Sequence, residues 1–327
     1  MTDDLTLSEA IHRYLETVRL ARSENTARTY ANALKFFTQV LDVRNISPDT
    51  TPIQELSEDA LAWTIASLKV YAPTTERLYL AALTGFYEYL AAERLAEINL
   101  PRLRLLIRQR ARRPGQRLPQ FPRDDIDKII KAVDDYTQFY PENDEKERLR
   151  ALRDRAFIIT LADTGLRVHE ICELRRGDVD WNEGRAIIIG KGNKEAVIRF
   201  STRSMRALKD YLSARQKLDG SSGRPLPSLP LFARHDRGAG KKVKPISTAT
   251  GRNIIKERVR QILGEDAVGK ITPHSFRHYF VTTVLRATGN LKMAQELARH
   301  SNIAVTQRYA HLSDDELDRG YYEIFDK

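Results

Sequence analysis

Arginine, lysine and histidine side chains in the second half of the chain could together bind and activate a phosphate group. His274 and Arg277 are three residues apart, so on a helix they share one face. A planar guanidinium can hold two phosphate oxygens at once. Arg167 follows a Thr-Gly pair typical of a helix end, and Lys191 lies at the tip of a predicted β-hairpin, where it could swing into a cleft. Taken alone, each of these residues is more typical of an ordinary solvated surface.

A metal site is the alternative use of the histidines. His274 and His278 are four residues apart, as two ligands on one helix would be. Zinc would need a third ligand, usually at a recognisable spacing. The chain has no His-Glu-x-x-His motif, and its single cysteine, Cys172, is not near these histidines in the sequence. We therefore expect an anion site, with no metal ion and no other cofactor.

Charge is distributed unevenly along the chain. The 327 residues suggest two domains at roughly 100–200 residues each. Residues 1–100 carry 9 basic and 14 acidic side chains, a net charge of −5, whereas residues 101–327 carry 45 and 30, a net charge of +15. Such a basic region indicates a polyanionic partner, usually nucleic acid, although a merely basic surface would give the same count.

Membrane insertion and secretion are not expected. No segment approaches the ~18 consecutive apolar residues of a membrane span. The N-terminus, MTDDLTLSEA, is acidic and lacks the basic-then-apolar pattern of a signal peptide. A single cysteine excludes an intrachain disulfide. These features predict a cytoplasmic protein.

Hydrophobic periodicity predicts a first domain, residues 1–100, that is a small bundle of helices. The predicted helices span 5–21, 25–41, 58–70 and 73–94. Residues 101–117 follow with seven arginines and no acidic residue, together with proline and glycine. We interpret this segment as a linker that a polyanion between two domains would attract.

The second domain, residues 118–327, is predicted to be mainly helical with a small β-sheet or hairpin. The predicted helices span 123–138, 147–164, 202–217, 248–263, 274–287, 291–299 and 303–311. Two short β-branched runs, 185–190 and 195–200, flank the turn sequence KGNK and predict the hairpin.

The order of the candidate residues resembles the tyrosine recombinase (phage integrase) family, with an Xer-like architecture. That order is an arginine, a lysine on a hairpin, His-x-x-Arg, a second histidine, and a tyrosine nine residues later. The matching segments are TGLRVHEICEL, IIIGKGNKEAVIRF, TPHSFRHYF and ARHSNIAVTQRYAH. In the first domain, SENTARTYANALKFF and APTTERLYLAALTGFYEYL resemble the helical, SAM-like core-binding domain of the family.

The resemblance implies a site-specific recombinase that cuts and rejoins DNA through a 3′-phosphotyrosine and exchanges strands through a Holliday junction. Tyr309 would be the nucleophile. Its phenol has a pKa near 10, so it needs help to attack. Arg167 and Arg277 would hold the phosphate oxygens and stabilise the added charge of the transition state.

The resemblance also assigns the proton transfers. His274 would assist removal of the tyrosine proton, and His300 would donate a hydrogen bond to a non-bridging oxygen. Lys191 would protonate the departing 5′-hydroxyl. Glu170, three residues after Arg167, would orient that arginine or a neighbour.

The family fold implies a two-domain clamp on double-stranded DNA that carries inverted-repeat half-sites. The protein would be nucleoid-associated, monomeric without DNA and a homotetramer in the synaptic complex, with a tail helix from about residue 314 that docks on a neighbouring subunit. Basic residues of the first domain and the linker are the expected DNA contacts: Arg28, Lys35, Arg77, Arg102, Arg104, Arg112 and Arg113.

The sequence departs from the family pattern at two positions. The family usually has Leu-Gly-His before the tyrosine helix, where this chain has Ala298-Arg299-His300. Arg299 is expected to alter the loop and leave the histidine in place. His169 stands where many members have serine, and it receives no predicted role.

Three other functions remain as alternatives. A type IB topoisomerase uses similar residues to relax DNA, but it commonly has lysine in place of the first histidine of His-x-x-Arg, so His274 favours a recombinase. A catalytically silent DNA-binding protein on the same scaffold would not need all six positions filled. A plain helical scaffold protein is the most remote alternative.

Overall fold

The computed structural model describes residues 5–112, 122–135, 144–190, 194–236, 238, 242–299 and 306. The chain divides into two units, Met1–Arg117 and Leu118–Lys327. The described residues are mostly helical, with one small antiparallel sheet of three strands. This confirms the predicted fold class. No helix in these ranges is long and apolar enough to cross a membrane.

Helices make up most of the described part of the first unit. They are α1 (Leu7–Ala21), α2 (Glu24–Asp42), α3 (Asp59–Ser67), α4 (Pro73–Ala92) and α5 (Leu100–Arg110). Helix α2 packs against α1 and α4, and α5 packs against α3 and α4. Four aromatic side chains fill the centre of the bundle: Tyr14, Phe37, Phe86 and Tyr87.

Helix α5 corrects the prediction that residues 101–117 are a linker. Asn99 caps the helix by accepting a hydrogen bond from the backbone amide of Arg102 at 2.9 Å. Leu103 and Leu106 are buried against the bundle. The first part of the predicted linker therefore belongs to the first unit, because its two buried leucines, one turn apart, supply a helical apolar face that the arginine content had hidden.

Glu76 of α4 fixes the chain just beyond α5. Its buried carboxylate accepts hydrogen bonds from Lys69 Nζ at 2.7 Å, Arg112 Nε at 2.6 Å and the Arg112 backbone amide at 2.9 Å. The Arg112 guanidinium also donates to the carbonyl of Tyr71 at 2.5 Å. Burial raises the pKa of Glu76, but the hydrogen bonds from Lys69 and Arg112 outweigh it and hold that pKa below the usual value. We call this group the Glu76 clasp.

Glu76→Gln should destabilise the first unit. The substitution leaves two cations around a neutral amide, although both are partly exposed and water reduces the loss. We expect the free energy of unfolding to fall by about 1–3 kcal/mol at neutral pH. The measurement is urea unfolding of the full chain in a Trp181→Phe background, where the fluorescence of Trp63 reports on the first unit.

The pH dependence identifies the charge as the cause. Because the folded pKa of Glu76 is lowered, its contribution is present above the unfolded pKa and is lost as the pH falls through the folded value. The difference between wild type and Glu76→Gln should therefore be constant near neutrality and shrink in acid. Glu88→Gln, which breaks an exposed pair with Arg104, is the matched control and should change stability by about 0.5 kcal/mol or less. An equal loss in both variants would contradict a special role for the clasp.

The second unit is arranged around one buried helix. Its helices are α6 (Arg123–Asp134), α7 (Glu145–Thr164), α8 (Val168–Glu173), α9 (Thr202–Ala214), α10 (Gln216–Gly220), α11 (Thr248–Leu263), α12 (Pro273–Thr288) and α13 (Leu291–Ala298). Helix α7 packs against α6, α9 and α12. Almost every residue of its second half is buried, so its position is fixed from several sides.

The sheet has the strand order β1 (Val179–Asp180), β2 (Arg185–Gly190) and β3 (Lys194–Arg199). All pairs are antiparallel, and Gly190 pairs with Lys194 at the end of the hairpin. The predicted hairpin is therefore present. Its tip, residues 191–193, lies outside the described residues. So do the predicted helix over 303–311, apart from Thr306, and the predicted tail helix from about 314.

Candidate active site

One part of the candidate site lies at the C-terminal end of α7. Gly165 ends this helix in the left-handed conformation, with φ of 59°. A Cβ at this position would lie 2.5 Å from Cδ1 of Phe280 in α12. The close approach and the positive φ both require glycine. The turn at Gly165 leads directly into Arg167, the residue before α8.

Arg167 is held by Glu170, one turn later. The Arg167 side chain donates from Nη1 to Oε1 of Glu170 at 2.8 Å, and its backbone amide donates to Oε2 at 2.7 Å. The Glu170 side chain is 5% exposed, whereas that of Arg167 is 42% exposed. A buried carboxylate thus orients a guanidinium that solvent still reaches.

Arg277 of α12 is buried and spans two helix ends. Its Nη1 donates to the carbonyl of Gly165 at 2.6 Å, and its Nη2 donates to the carbonyl of Ala298 at the end of α13. Both acceptors lie at helix C-termini, where partial negative charge stabilises a cation. The guanidinium of Arg277 therefore connects the C-terminal ends of α7 and α13. Arg167 follows Gly165, at the end of α7, by two residues.

His274 and His278 lie one turn apart on α12. Their ring centroids are 4.3 Å apart, and the rings are nearly perpendicular. Burial, followed by the charges of Arg277 and Arg167, lowers the pKa of His274. Burial and the neighbouring His274 and Arg277 lower the pKa of His278 to about 4. Both rings are therefore neutral at pH 7, and a neutral imidazole can accept a proton.

Arg299 also belongs to the candidate site, although the sequence analysis gave it no role there. Its Nη2 lies 3.1 Å from Oε2 of Glu170, and its side chain is 12% exposed. Although burial raises the pKa of Glu170, the Arg167 hydrogen bonds and the charge of Arg299 hold that pKa below the usual value. The sequence contained one signal for this contact. The family usually has glycine at this position, and an arginine in place of a turn glycine suggests that its side chain makes a specific interaction.

Of the predicted site residues, Arg167 is bound to Glu170, Arg277 binds the carbonyl two residues before Arg167, and the charges of both arginines act on His274. The other three predicted members, Lys191, His300 and Tyr309, lie outside the described residues, and their places in the site stay predictions. In the ranges that the structure covers, no three His, Cys, Asp or Glu side chains are grouped so that they could hold a metal ion.

The six predicted DNA contacts that the structure describes fall into two groups. Four arginines already form ion pairs within the unit: Arg28 with Glu24, Arg102 with Glu58 and Asp59, Arg104 with Glu88, and Arg112 with Glu76. Lys35 on α2 and Arg77 on α4 are exposed. Arg113 lies outside the described residues. Contact of all seven with DNA stays a prediction.

Both units match known families. Residues 11–94 match the N-terminal SAM-like domain of phage integrases, and residues 121–316 match the phage integrase family. Tyrosine recombinase XerC of Thermodesulfovibrio yellowstonii is 29% identical over 320 residues, which cover 97% of this chain and 95% of that protein. Tyrosine recombinase XerC of Pelobacter propionicus is 32% identical over 248 residues, which cover 76% and 70%.

Solved structures share the fold. The XerH site-specific recombinase in a post-cleavage complex with palindromic difH substrate has a TM-score of 0.69 at 15% identity, and the match covers 100% of this chain and 98% of that one. A lambda integrase dimer bound to a COC′ core site has a TM-score of 0.64 at 17% identity, and the match covers 94% and 95%.

These matches place the molecule in a class, the two-unit recombinases in which a SAM-like helical unit precedes a catalytic one. Within that class the chain belongs to the phage integrase family, the tyrosine recombinases.

Gly165→Ala should disturb the site more than a comparable glycine substitution elsewhere. Gly289 is the matched control, because it also ends a helix with φ of 62°, but a Cβ added there would meet no described atom within 4 Å. We expect Gly289→Ala to lower the free energy of unfolding by about 1 kcal/mol through backbone strain alone. Gly165→Ala should cost roughly 1–3 kcal/mol more, because the new Cβ meets Phe280.

The measurement is unfolding followed by the fluorescence of Trp181 in a Trp63→Phe background, together with the rate of DNA strand cleavage. Gly165→Ala should also slow cleavage, since its carbonyl binds Arg277. Equal stability losses in the two variants would show that the contact with Phe280 does not constrain the turn.

Proposed function

We propose that this recombinase cuts and rejoins double-stranded DNA at specific sites through a 3′-phosphotyrosine at Tyr309, and exchanges strands through a Holliday junction. The observation that supports the proposal is that Arg277 binds carbonyls at the ends of α7 and α13, two residues before Arg167 in the case of α7, and that the charges of both arginines act on His274. Two guanidiniums so placed suit a phosphate with one negative charge that gains a second in the transition state. Membership of the tyrosine recombinase family supports the same reaction class.

In the cleavage step, the phenol oxygen of Tyr309 attacks the scissile phosphorus while the bond from phosphorus to the 5′-oxygen breaks. The proton of Tyr309 goes to His274, which is neutral at pH 7 because its pKa is lowered. The departing 5′-oxygen takes a proton from Lys191 and leaves as a hydroxyl. His300 donates a hydrogen bond to a non-bridging oxygen.

Rejoining is the reverse reaction. A 5′-hydroxyl attacks the phosphotyrosine and gives its proton back to Lys191, while Tyr309 leaves with a proton returned by His274. One phosphoester bond breaks as another forms, so the step needs no ATP. If the attacking hydroxyl belongs to the second duplex, the product is an exchanged strand.

The remaining parts of the proposal concern assembly. The DNA would carry inverted-repeat half-sites, and the two units would bind opposite faces of the duplex, with Lys35 and Arg77 among the contacts. Four protomers would assemble in the synaptic complex from a chain that is monomeric without DNA, and the tail from about residue 314 would dock on a neighbour. The protein would act in the cytoplasm at the nucleoid.

Tyr309→Phe tests the nucleophile. The variant should bind its DNA site as wild type does but form no covalent adduct, because only the attacking oxygen is removed. The measurement is a denaturing gel with a labelled substrate nicked near the cleavage position, so that a cleaved strand cannot be rejoined. Tyr321→Phe is the control and should form the adduct normally. Undiminished adduct in Tyr309→Phe would remove Tyr309 from this role.

Lys191→Ala tests the general acid. The variant should cleave ordinary DNA poorly, since the 5′-oxygen is a poor leaving group without a proton. A substrate with sulfur in place of the bridging 5′-oxygen has a better leaving group, so cleavage of it should be largely restored. Lys194→Ala, at the start of β3, is the matched control and should retain its cleavage of ordinary DNA. Equal defects of Lys191→Ala on both substrates would contradict a proton transfer from Lys191.

A recombination assay separates exchange from relaxation. Two paired sites should yield recombinant product, whereas a topoisomerase would only change the linking number of a supercoiled plasmid. Relaxation without recombinant product would contradict the proposed function.

A further inference from the structure

Arg299 adopts a backbone conformation that its side chain disfavours. It ends α13 with φ of 56° and ψ of 44°, in the left-handed region. Arginine at such a position is strained, whereas the glycine usual in the family is not. The Arg299 side chain makes an interaction that offsets part of this strain.

That interaction is with the carboxylate that orients Arg167. Oε2 of Glu170 accepts from Arg299 Nη2 at 3.1 Å and from the Arg167 amide at 2.7 Å, while Oε1 accepts from Arg167 Nη1 at 2.8 Å. Both oxygens of a buried carboxylate are thus occupied by two arginines that are 132 positions apart in the sequence. No described residue accepts a hydrogen bond from the buried Nε of Arg299.

The charges around Glu170 explain why a second arginine matters. Glu170 cancels the charge of Arg167, so the pair by itself is neutral. Arg299 restores one positive charge beside that pair. In a partly buried site, where charges are weakly screened, one cation changes the stabilisation of an incoming phosphate.

The position of Arg299 in the chain adds a geometric effect. The preceding residue, Ala298, accepts a hydrogen bond from Arg277 through its carbonyl. Ala298 therefore contacts Arg277 directly, and its neighbour Arg299 is connected to Arg167 through Glu170. His300 is the next residue.

We propose that Arg299 is a positioning residue that holds Arg167 through Glu170, fixes the turn leading to His300, and returns to the phosphate site the positive charge that Glu170 removes. This role rests on the proposed function. It is specific to chains that have arginine in place of the turn glycine.

Arg299→Gly is the test variant, because glycine removes the guanidinium and suits the left-handed conformation. Arg94→Gly is the matched control. Arg94 is also an arginine with positive φ, at 54°, but it is exposed in the first unit and forms no part of the site. Both variants are compared with wild type for DNA binding, thermal unfolding and single-turnover cleavage at saturating protein.

We expect Arg299→Gly to bind DNA and unfold as wild type does, and to cleave a phosphodiester about 10- to 100-fold more slowly. Arg94→Gly should cleave at the wild-type rate. Unchanged cleavage by Arg299→Gly would overturn the proposal. A wild-type protein that forms no adduct would instead contradict the proposed function itself.

Two further readouts separate positioning from a merely structural role. In a Glu170→Gln background, the loss caused by Arg299→Gly should become smaller but should not vanish, because the positioning acts through Glu170 whereas the charge of Arg299 acts on the phosphate directly. If the losses in cleavage rate caused by Arg299→Gly and by Glu170→Gln simply multiply, positioning through Glu170 is contradicted.

The second readout uses a methylphosphonate at the scissile position, which lacks one charged oxygen. On this substrate the defect of Arg299→Gly relative to wild type should be smaller than on the phosphodiester. An equal defect on both substrates would show that its charge does not act on the phosphate.

Discussion

The buried guanidinium of Arg277 is the interaction on which the site depends. A cation removed from water must have its donors satisfied, and here the acceptors are main-chain carbonyls at the ends of α7 and α13. Those carbonyls lack partners within their own helices, so one arginine satisfies both helix ends while their dipoles stabilise its charge. The turn before Arg167 and the turn before His300 are consequently held at fixed positions relative to α12.

Glu170 controls how much positive charge this arrangement presents. The carboxylate orients Arg167, which favours phosphate binding. At the same time it cancels the charge of Arg167, which weakens phosphate binding. Arg299 resolves the conflict because it pairs with the same carboxylate. The neutral imidazole of His274 follows from the same surroundings, since partial burial and the arginines both disfavour a second proton on its ring.

The sequence predicted the long elements well and missed the short or highly charged ones. Helices α1, α2, α4, α7 and α12 repeat apolar residues over several turns, and β2 and β3 flank a recognisable turn, so local patterns sufficed. Helix α5 was taken for a linker, because the arginines around Leu103 and Leu106 obscured its narrow apolar face. Strand β1 has only two residues, and it exists because β2 is beside it. No local pattern can reveal such an element.

The sequence alone determined the chemistry that is available. The residue types, their order and the resemblance to a family indicated two arginines and a histidine around a phosphate, whatever their distances. Only the tertiary structure decided which charges are paired. Arg102 and Arg112 are bound to carboxylates of the first unit, and Arg299 reaches Glu170 across 129 positions of the chain. The physical reason is that an ion pair depends on a separation of a few ångströms, and folding brings these partners that close from positions that are far apart in the sequence.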